Sequence, residues 1–166
     1  MSSDLNDILD TVAIPTSYKV GYMSNYYREP SFREIERALG LTRPEILSLI
    51  FLCFRDGITV TDICEFSGHL KANISRAAIA LEKKALIDRR LHDDDQRRQL
   101  LFVTAAGRAL HDRFMPGLVQ READMLACLS QTERRQFNDI LRKMCAHARD
   151  WSDMSVIASS SAEQNR

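Results

Sequence analysis

Long apolar runs, paired cysteines and targeting signals are all missing from this chain. In its 166 residues no apolar run approaches the roughly 18 residues of a membrane helix, and the first ten residues are acidic, unlike a targeting signal. Cys53, Cys64, Cys128 and Cys145 include no Cys-x-x-Cys pair, which favours buried free thiols over a disulfide framework. We therefore expect a cytoplasmic location.

Motifs of catalysis and cofactor binding are absent too. The sequence has no glycine-rich phosphate loop, no His-Glu-x-x-His and no nucleophile elbow. Its four histidines, at 69, 92, 111 and 147, are far apart and form no local zinc-ligand motif. The sequence therefore predicts neither an enzyme, nor a bound cofactor, nor a metal site.

A net charge of zero disfavours nucleic acid as a partner, but the charge is unevenly distributed. Residues 1–68 carry 6 Lys and Arg against 10 Asp and Glu, whereas residues 69–108 carry 9 against 5. Residues 109–166 are balanced at 8 against 8. Screening limits charge interactions to roughly 8 Å at physiological salt, so a local basic patch can bind phosphates on a neutral chain.

Apolar residues recur at helical spacing through the first part of the chain. They predict a short helix before Pro15 and a second helix over 17–39, interrupted at Pro30. Thr42-x-x-Glu45 is a capping box, and the helix after it should lie in the core from Ile46 to Phe54. Thr59, with Asp62, predicts a short helix that ends near Gly68.

The next helix is predicted over about 70–85, and its inward stripe is Ile74, Ala78, Leu81 and Ala85. The stretches "LIDRRL" and "RQLLFVT" predict two strands joined by a polar tip, "HDDDQR". Thr104 caps a long helix to about 129, with a bend expected at Pro116. Ser130-x-x-Glu133 begins a helix with one apolar seam from Phe137 to Trp151.

The segment "ITVTDICEFSGHLKANISRAAIALEKKALIDRRLHDDDQRRQLLFVTAAGRAL" resembles the MarR/SlyA family of transcriptional regulators. The most specific element is Asp95-x-Arg97, which matches the family's Asp-x-Arg, ahead of "LLFVTAAG". The resemblance is close over roughly 39–110 and implies a mainly α fold with a small β-wing, that is, a winged helix-turn-helix. One position departs: Leu70 stands where the family commonly has a helix-capping Ser.

The resemblance also implies a division of the chain and an assembly. Residues 1–39 would form N-terminal dimerisation helices, 40–108 the DNA-binding domain and 109–151 the C-terminal dimerisation helices, followed by a disordered tail over 152–166. A homodimer would place two recognition helices about one turn of DNA apart, on a palindromic operator. Repression is the family's common mode of action. The alternative for the terminal helices is burial within one chain.

On the helix over 70–85, the predicted contacts to base edges or groove-lining phosphates are Asn73, Ser75 and Arg76. Lys71 is predicted to bind the phosphate backbone. Residues near the N-terminus of a recognition helix face the base edges in the major groove, which is why these positions are chosen. The alternative is that they form only the solvated face of a core helix.

On the predicted wing, Arg97 would enter the minor groove or contact phosphates, and Asp95 would orient its guanidinium. Arg89, Arg90 and Arg98 add predicted backbone charge. The alternative is a turn with ordinary surface ion pairs, worth about 0–1 kcal/mol each.

A small-molecule effector is also implied, since MarR-like proteins typically release DNA when an aromatic acid binds. The predicted site consists of Tyr18, Tyr22 and Tyr26, spaced by four residues, with Arg28 and Arg43 nearby. The alternative is a tyrosine stripe that serves the core or a dimer interface. "NYYREP" and "GHLKANISRA" resemble regulators of nicotinate catabolism, which would make the effector a pyridine carboxylate.

Two other functions stay open at the level of sequence. A redox-responsive regulator of the same family is disfavoured because no cysteine precedes Cys53. A protein-interaction module on a winged fold is disfavoured by the basic segment 69–108, and a DNA-binding assay separates it from a regulator.

Overall fold

The computed structural model describes residues 3–92, 98–152 and 155–156; for residues 3–6 it describes the backbone only. The predictions for Asp95 and Arg97, and most of the predicted tail over 152–166, lie outside these residues. The chain divides into two compact units, Met1–Ala123 and Asp124–Arg166. Among the described residues, no helix combines the length and apolar character that a bilayer crossing requires.

The first unit begins with two helices, α1 (Ser3–Thr11) and α2 (Pro15–Leu39). The predicted interruption at Pro30 was wrong, because α2 runs through that residue. Proline removes only one backbone N–H, and the Ser31 hydroxyl donates to the Tyr27 carbonyl at 2.6 Å on the next turn. The helix ends at Gly40, whose φ of 63° is the left-handed conformation that glycine adopts without strain.

Helices α3 (Arg43–Phe54) and α4 (Val60–Ser67) begin at the predicted capping boxes. The Thr59 hydroxyl accepts from the Asp62 N–H at 3.1 Å, and the Asp62 carboxylate accepts from the Thr59 N–H at 2.8 Å. Ile46 and other apolar residues of α3 are fully buried. Phe54 is the exception: it was predicted in the core but is 89% exposed, because it lies at the last residue of the helix, on its outer side.

Helix α5 (Lys71–Lys83) buries the predicted residues Ile74, Ala78 and Leu81. The fourth member of the stripe, Ala85, was predicted to point inward but is exposed. The helix has already ended there, and Ala85 has a φ of 55°, which removes it from the helical register. Helices α4 and α5 thus form a helix-turn-helix whose turn is centred on Gly68.

The predicted hairpin is confirmed as β1 (Ile87–Leu91) paired antiparallel with β2 (Gln99–Val103), here called the wing. Ile87 lies opposite Val103, and Leu91 opposite Gln99. A third segment joins at the base, since the Leu101 N–H donates to the Ile58 carbonyl at 2.8 Å. The order of helices and wing confirms the predicted winged helix-turn-helix fold.

Helix α6 (Ala105–Met125) follows the wing directly and ends before the predicted residue 129. The Thr104 hydroxyl accepts from the Gly107 N–H at 3.0 Å, as the predicted cap requires. A Cβ at Gly107 would overlap the Leu86 carbonyl oxygen, so glycine lets α6 lie against the start of the wing. Phe114 and Leu118 of α6 are part of the same core cluster as Phe32 of α2.

The second unit contains α7 (Gln131–Ala146) and α8 (Ala148–Ser152). The single helix predicted to reach Trp151 is therefore broken at His147, whose φ of −103° and ψ of 9° are not helical. Among the described residues of α7 and α8, none is buried. Ile140, Met144 and Trp151 of the predicted apolar seam are exposed.

A buried carboxylate connects α3 to the end of α5. Glu45 is 1% exposed, and it accepts from the Lys84 ammonium at 2.7 Å and from the Thr42 N–H at 2.6 Å. The Lys84 ammonium also donates to the Gly40 carbonyl at 2.9 Å. Burial alone would raise the pKa of Glu45, but the hydrogen bonds from Lys84 and Thr42 hold it below its usual value.

We expect Lys84→Ala to destabilise the protein by about 1–3 kcal/mol, because the buried Glu45 carboxylate loses a charged partner. The free energy of unfolding should be measured by urea denaturation at neutral pH. The matched control is Lys83→Ala on the preceding, exposed residue, which should change stability by less than about 0.5 kcal/mol.

The pH dependence supplies a second check on this pair. The lowered pKa of Glu45 means that its contribution is complete above the ordinary value of 4.5 and is lost as the pH falls through the folded-state value. The difference in free energy of unfolding between wild type and Lys84→Ala should therefore become smaller as the pH is lowered. Equal stability of the two proteins at neutral pH would contradict this role of the pair.

Candidate nucleic-acid interface

The outward face of α5 carries the four residues predicted to contact DNA. Lys71 and Arg76 are exposed, while Asn73 and Ser75 are half-buried beside the inward stripe. Because Ile74, Ala77 and Ala78 face the core, Arg76 points away from it, and Asn73 and Ser75 lie at the edges of the buried stripe. The structure thus brings Lys71, Asn73, Ser75 and Arg76 together at the first two turns of one helix.

Two of these side chains are bonded to each other. The Arg76 guanidinium donates from Nη2 to Asn73 Oδ1 at 2.7 Å. This bond leaves the Asn73 amide NH₂ and the remaining Arg76 donors for other partners. It also occupies the Asn73 oxygen, which a bidentate contact to adenine would need.

The first turn of α5 begins without a side-chain cap. Leu70 is the N-cap residue, with extended backbone angles, and its carbonyl accepts from the Asn73 N–H at 3.0 Å. The neighbouring polar groups do not replace the missing cap: His69 N–H donates to the Ser67 hydroxyl at 3.3 Å. The Leu70 side chain is 74% exposed.

The three described arginines of the wing have different surroundings. Arg89 Nε lies 2.8 Å from a Glu82 carboxylate oxygen, an ion pair without hydrogen-bond geometry, and Arg89 Nη1 donates to Gln99 Oε1 at 3.1 Å. The Arg90 guanidinium lies 4.5 Å from the centroid of the Phe102 ring. Arg89 is therefore largely committed to the protein, whereas Arg90 is exposed above an aromatic ring.

Arg98 is exposed at the start of β2, and its charge acts on the first turn of α4. The Thr59 N–H lowers the pKa of Asp62 most, and the charges of Arg98 and Arg55 lower it further. The wing and the helix-turn-helix therefore share one electrostatic environment.

Sequence reasoning missed Glu82 and Phe102, the partners of Arg89 and Arg90. Glu82 lies seven residues before Arg89, in a different element, so no local motif connects them. The Phe102 contact depends on the strand register, in which Asp88 and not Arg90 lies directly opposite Phe102. Only the folded hairpin shows it.

The predicted effector residues are only partly brought together. Tyr22 and Tyr26 have ring centroids 4.5 Å apart on one face of α2, and a hydrogen bond with Tyr26 raises the pKa of Tyr22. Tyr18, one turn earlier, is 54% exposed and Tyr26 is 68% exposed. The aromatic face therefore exists, and it is open on this chain.

The two arginines predicted for the same site are engaged elsewhere. The Arg28 guanidinium lies 5.5 Å from the centroid of the Phe32 ring. Arg43 holds the Glu29 carboxylate through two hydrogen bonds, of 2.5 and 2.8 Å, and this pair lowers the pKa of Glu29. A carboxylate ligand would have to compete with Glu29 for Arg43.

The four cysteines were predicted to be buried free thiols; Cys53 and Cys64 are half-buried, but Cys128 and Cys145 are exposed. Burial raises the pKa of both Cys53 and Cys64, which keeps these thiols in the less reactive protonated form. Within residues 3–92 and 98–152, no three His, Cys, Asp or Glu side chains are grouped so that they could hold a metal ion.

Comparison with known proteins shows which family this chain is similar to. A sequence profile of the MarR family matches residues 39–98, the segment from the end of α2 to the wing. A crystal structure of a MarR family regulator from Silicibacter pomeroyi superposes with a TM-score of 0.74 and 26% identity, covering 91% of this chain and 95% of that one. Over its winged helix-turn-helix, this chain is therefore similar to the MarR family.

Two further MarR relatives are similar over shorter stretches. The transcriptional repressor YetL of Bacillus subtilis is 26% identical over 105 residues, which span 63% of this chain and 63% of YetL. The S. aureus MepR–DNA complex superposes with a TM-score of 0.69 and 26% identity, covering 79% of this chain and 96% of MepR. These comparisons support the family and not the nicotinate-related subgroup.

The different surroundings of Arg89 and Arg98 generate a prediction for MarR-type DNA binding. The salt slope is the slope of log affinity for duplex DNA against log salt concentration. Arg98→Ala should lower its magnitude by about one, because one exposed charge near the phosphates is lost. Arg89→Ala should lower the slope by less than half as much, because Glu82 already neutralises it. The slope is obtained by measuring duplex affinity by fluorescence anisotropy between 50 and 200 mM salt. Over this range the affinity should fall by about 10-fold or more.

The thermal stability of both variants should be compared with that of the wild type, since Arg89→Ala removes an internal ion pair. Equal slope changes for the two variants would mean that Arg89 leaves Glu82 and binds DNA.

Proposed function

We propose that the protein is a homodimeric, sequence-specific DNA-binding repressor that a small aromatic acid releases from its operator. One observation carries the proposal. Helix α5 buries its apolar stripe in a helix-turn-helix and presents Lys71, Asn73, Ser75 and Arg76 outward, next to a wing with exposed arginines. An α-helix of this kind fits the major groove, which is about 12 Å wide.

The bond between Asn73 and Arg76 suggests how bases are recognised. A guanidinium held by an amide oxygen keeps donors for the O6 and N7 of guanine, the most common base contact of arginine. Asn73 would contribute its NH₂ group to a neighbouring acceptor. Lys71 and Ser75 would bind phosphates or groove edges beside them.

The wing would supply the second contact with DNA. Arg98 and Arg90 are exposed on it, and Arg97, with Asp95 beside it in sequence, is proposed to reach the minor groove or the phosphates. Arg89 would contribute less, because Glu82 and Gln99 already bind it. Most of this affinity is electrostatic and should fall with salt.

Dimerisation is proposed from exposed apolar residues in both units. In the first unit Ile8, Ile14 and Met23 are 56%, 58% and 42% exposed. In the second, Ile140 and Trp151 are 57% and 60% exposed. Symmetric association would bury both sets and would present two recognition helices, which a selective genomic site requires.

Repression is proposed from the relatives. YetL is a transcriptional repressor, and MepR has been crystallised as a complex with DNA. A repressor of bacterial type would act in the cytoplasm, where it meets its operator.

The deciding experiment is selection of bound fragments from a random duplex library with the full chain. We expect a palindrome with half-site centres about one helical turn, 10–10.5 base pairs, apart. Asn73→Ala should change the base preference at one position of each half-site, because Arg76 loses its orienting partner. Lys71→Ala, the matched control on the same turn of α5, should weaken binding to all sequences alike.

The same selection tests the second candidate, a protein-interaction module. Recovery of no fragment above background at 50–100 mM salt, with folded protein, would contradict the repressor and favour the module. The basic segment 69–108 is the observation that favours DNA.

The proposed effector is an aromatic carboxylate, of which a pyridine carboxylate is one case. Its support is the ring contact between half-buried Tyr22 and exposed Tyr26, with Arg43 bound to Glu29 three residues further along α2. Aromatic rings bind a planar acid, and arginine binds a carboxylate in bidentate geometry.

We expect benzoate- or pyridine-type acids to weaken operator binding at least 10-fold at saturation, as titration by fluorescence anisotropy would show. The matched amides, which lack the charge, should have a smaller effect. Tyr26→Ala should reduce the response of the protein to the acids. If no acid in such a panel changes operator affinity, the proposed effector class is wrong, and the DNA-binding proposal stands unaffected.

A further inference from the structure

Leu70 is an apolar side chain placed where a recognition helix meets its ligand. It is the N-cap residue of α5, its side chain is 74% exposed, and it forms no capping hydrogen bond. Isolated exposed leucines are common on protein surfaces and usually need no explanation. The position is what matters here, because the first turn of a recognition helix is buried against DNA on binding.

The surroundings of Leu70 indicate what it would contact. Lys71 and Arg76 are exposed on the same end of α5, and Asn73 is half-buried between them. Ala72, also exposed, adds a methyl group two residues after Leu70. The surface is thus cationic with an apolar spot, and it suits a polyanion that carries an apolar group.

The chemistry of the major groove limits which groups of the DNA Leu70 could contact favourably. Its base edges present hydrogen-bond donors and acceptors, and the apolar group among them is the C5-methyl of thymine. A leucine pressed against a polar base edge would bury that edge's donors or acceptors without partners, which is unfavourable. Contact with a methyl group avoids that cost and removes apolar surface from water.

We propose that Leu70 is a specificity-determining residue that contacts the C5-methyl group of a thymine in each half-site of the operator. This inference rests on the proposed function, and it adds a base preference that the polar residues of α5 do not supply. It also accounts for an apolar residue at a position where a Ser, Thr, Asp or Asn would stabilise the helix.

The test compares thymine with uracil, which differ only by the C5-methyl group. The operator from the library selection is prepared once with thymidine and once with deoxyuridine throughout, and its affinity for the full chain is measured by anisotropy. We expect the uracil duplex to bind more weakly by about fourfold for each buried methyl group that is lost, one in each half-site. Single substitutions along the half-site then identify the thymine responsible.

Leu70→Ser separates recognition from folding. The serine hydroxyl supplies the missing N-cap acceptor, so this variant should unfold at an equal or higher temperature than wild type. It should bind the thymine and uracil duplexes equally well. Ile79→Ala is the matched control: Ile79 is 46% exposed on the same helix, two turns further on, and its loss should leave the difference between the duplexes intact.

The outcomes distinguish this inference from the function beneath it. Discrimination by wild type and Ile79→Ala, together with its loss in Leu70→Ser, supports the contact. Equal affinity of wild type for both duplexes, or discrimination that persists in Leu70→Ser, overturns the inference while operator binding stands. Leu70 then points to an occupant other than a base, such as a protein partner. Failure to select any DNA removes the proposed function and this inference with it.

Discussion

The ion pair between Glu45 and Lys84 connects the start of α3 to the end of α5. Glu45 lies in the interior at the start of α3, and Lys84 directly follows α5, so the pair joins two helices that are far apart in sequence. The Gly40 carbonyl, at the end of α2, accepts from the same ammonium. Three helix ends thus meet at one cation. Because Ile74, Ala78 and Leu81 bury the inner face of α5, fixing its end also fixes which residues face outward. The outward position of the candidate DNA-contacting residues is thus a consequence of this packing.

The arginines of the wing show that positive charge in sequence is not the same as charge available to a ligand. Arg89 is held by Glu82 and Gln99 and Arg90 lies over the Phe102 ring, whereas Arg98 is exposed. Internal pairing removes much of a cation's capacity to replace counterions on a phosphate backbone. Internal pairing also applies to Arg43. It was predicted to bind a carboxylate ligand, but in the structure it binds the Glu29 carboxylate.

The elements of the fold were predictable because their signals are local. The capping residues Thr42, Thr59 and Ser130 each precede a helix, and the apolar runs around the polar tip became the two strands of the wing. Local signals failed where a local rule has a tolerated exception. Pro30 costs a single backbone hydrogen bond and does not end α2, and Ala85 follows the spacing of its stripe one residue after the helix has ended.

By itself, then, the sequence determined the order of helices and strands, the inward stripe of α5 and the concentration of basic residues around the wing. These properties depend on spacing along the chain, which a single sequence displays in full. The partners of the charged residues were decided only by tertiary structure. Arg89 pairs with Glu82 at 2.8 Å and Lys84 with Glu45 at 2.7 Å because folding brings separate elements together. Side chains up to 39 residues apart become neighbours in this way, and spacing along the chain does not encode which of them will meet.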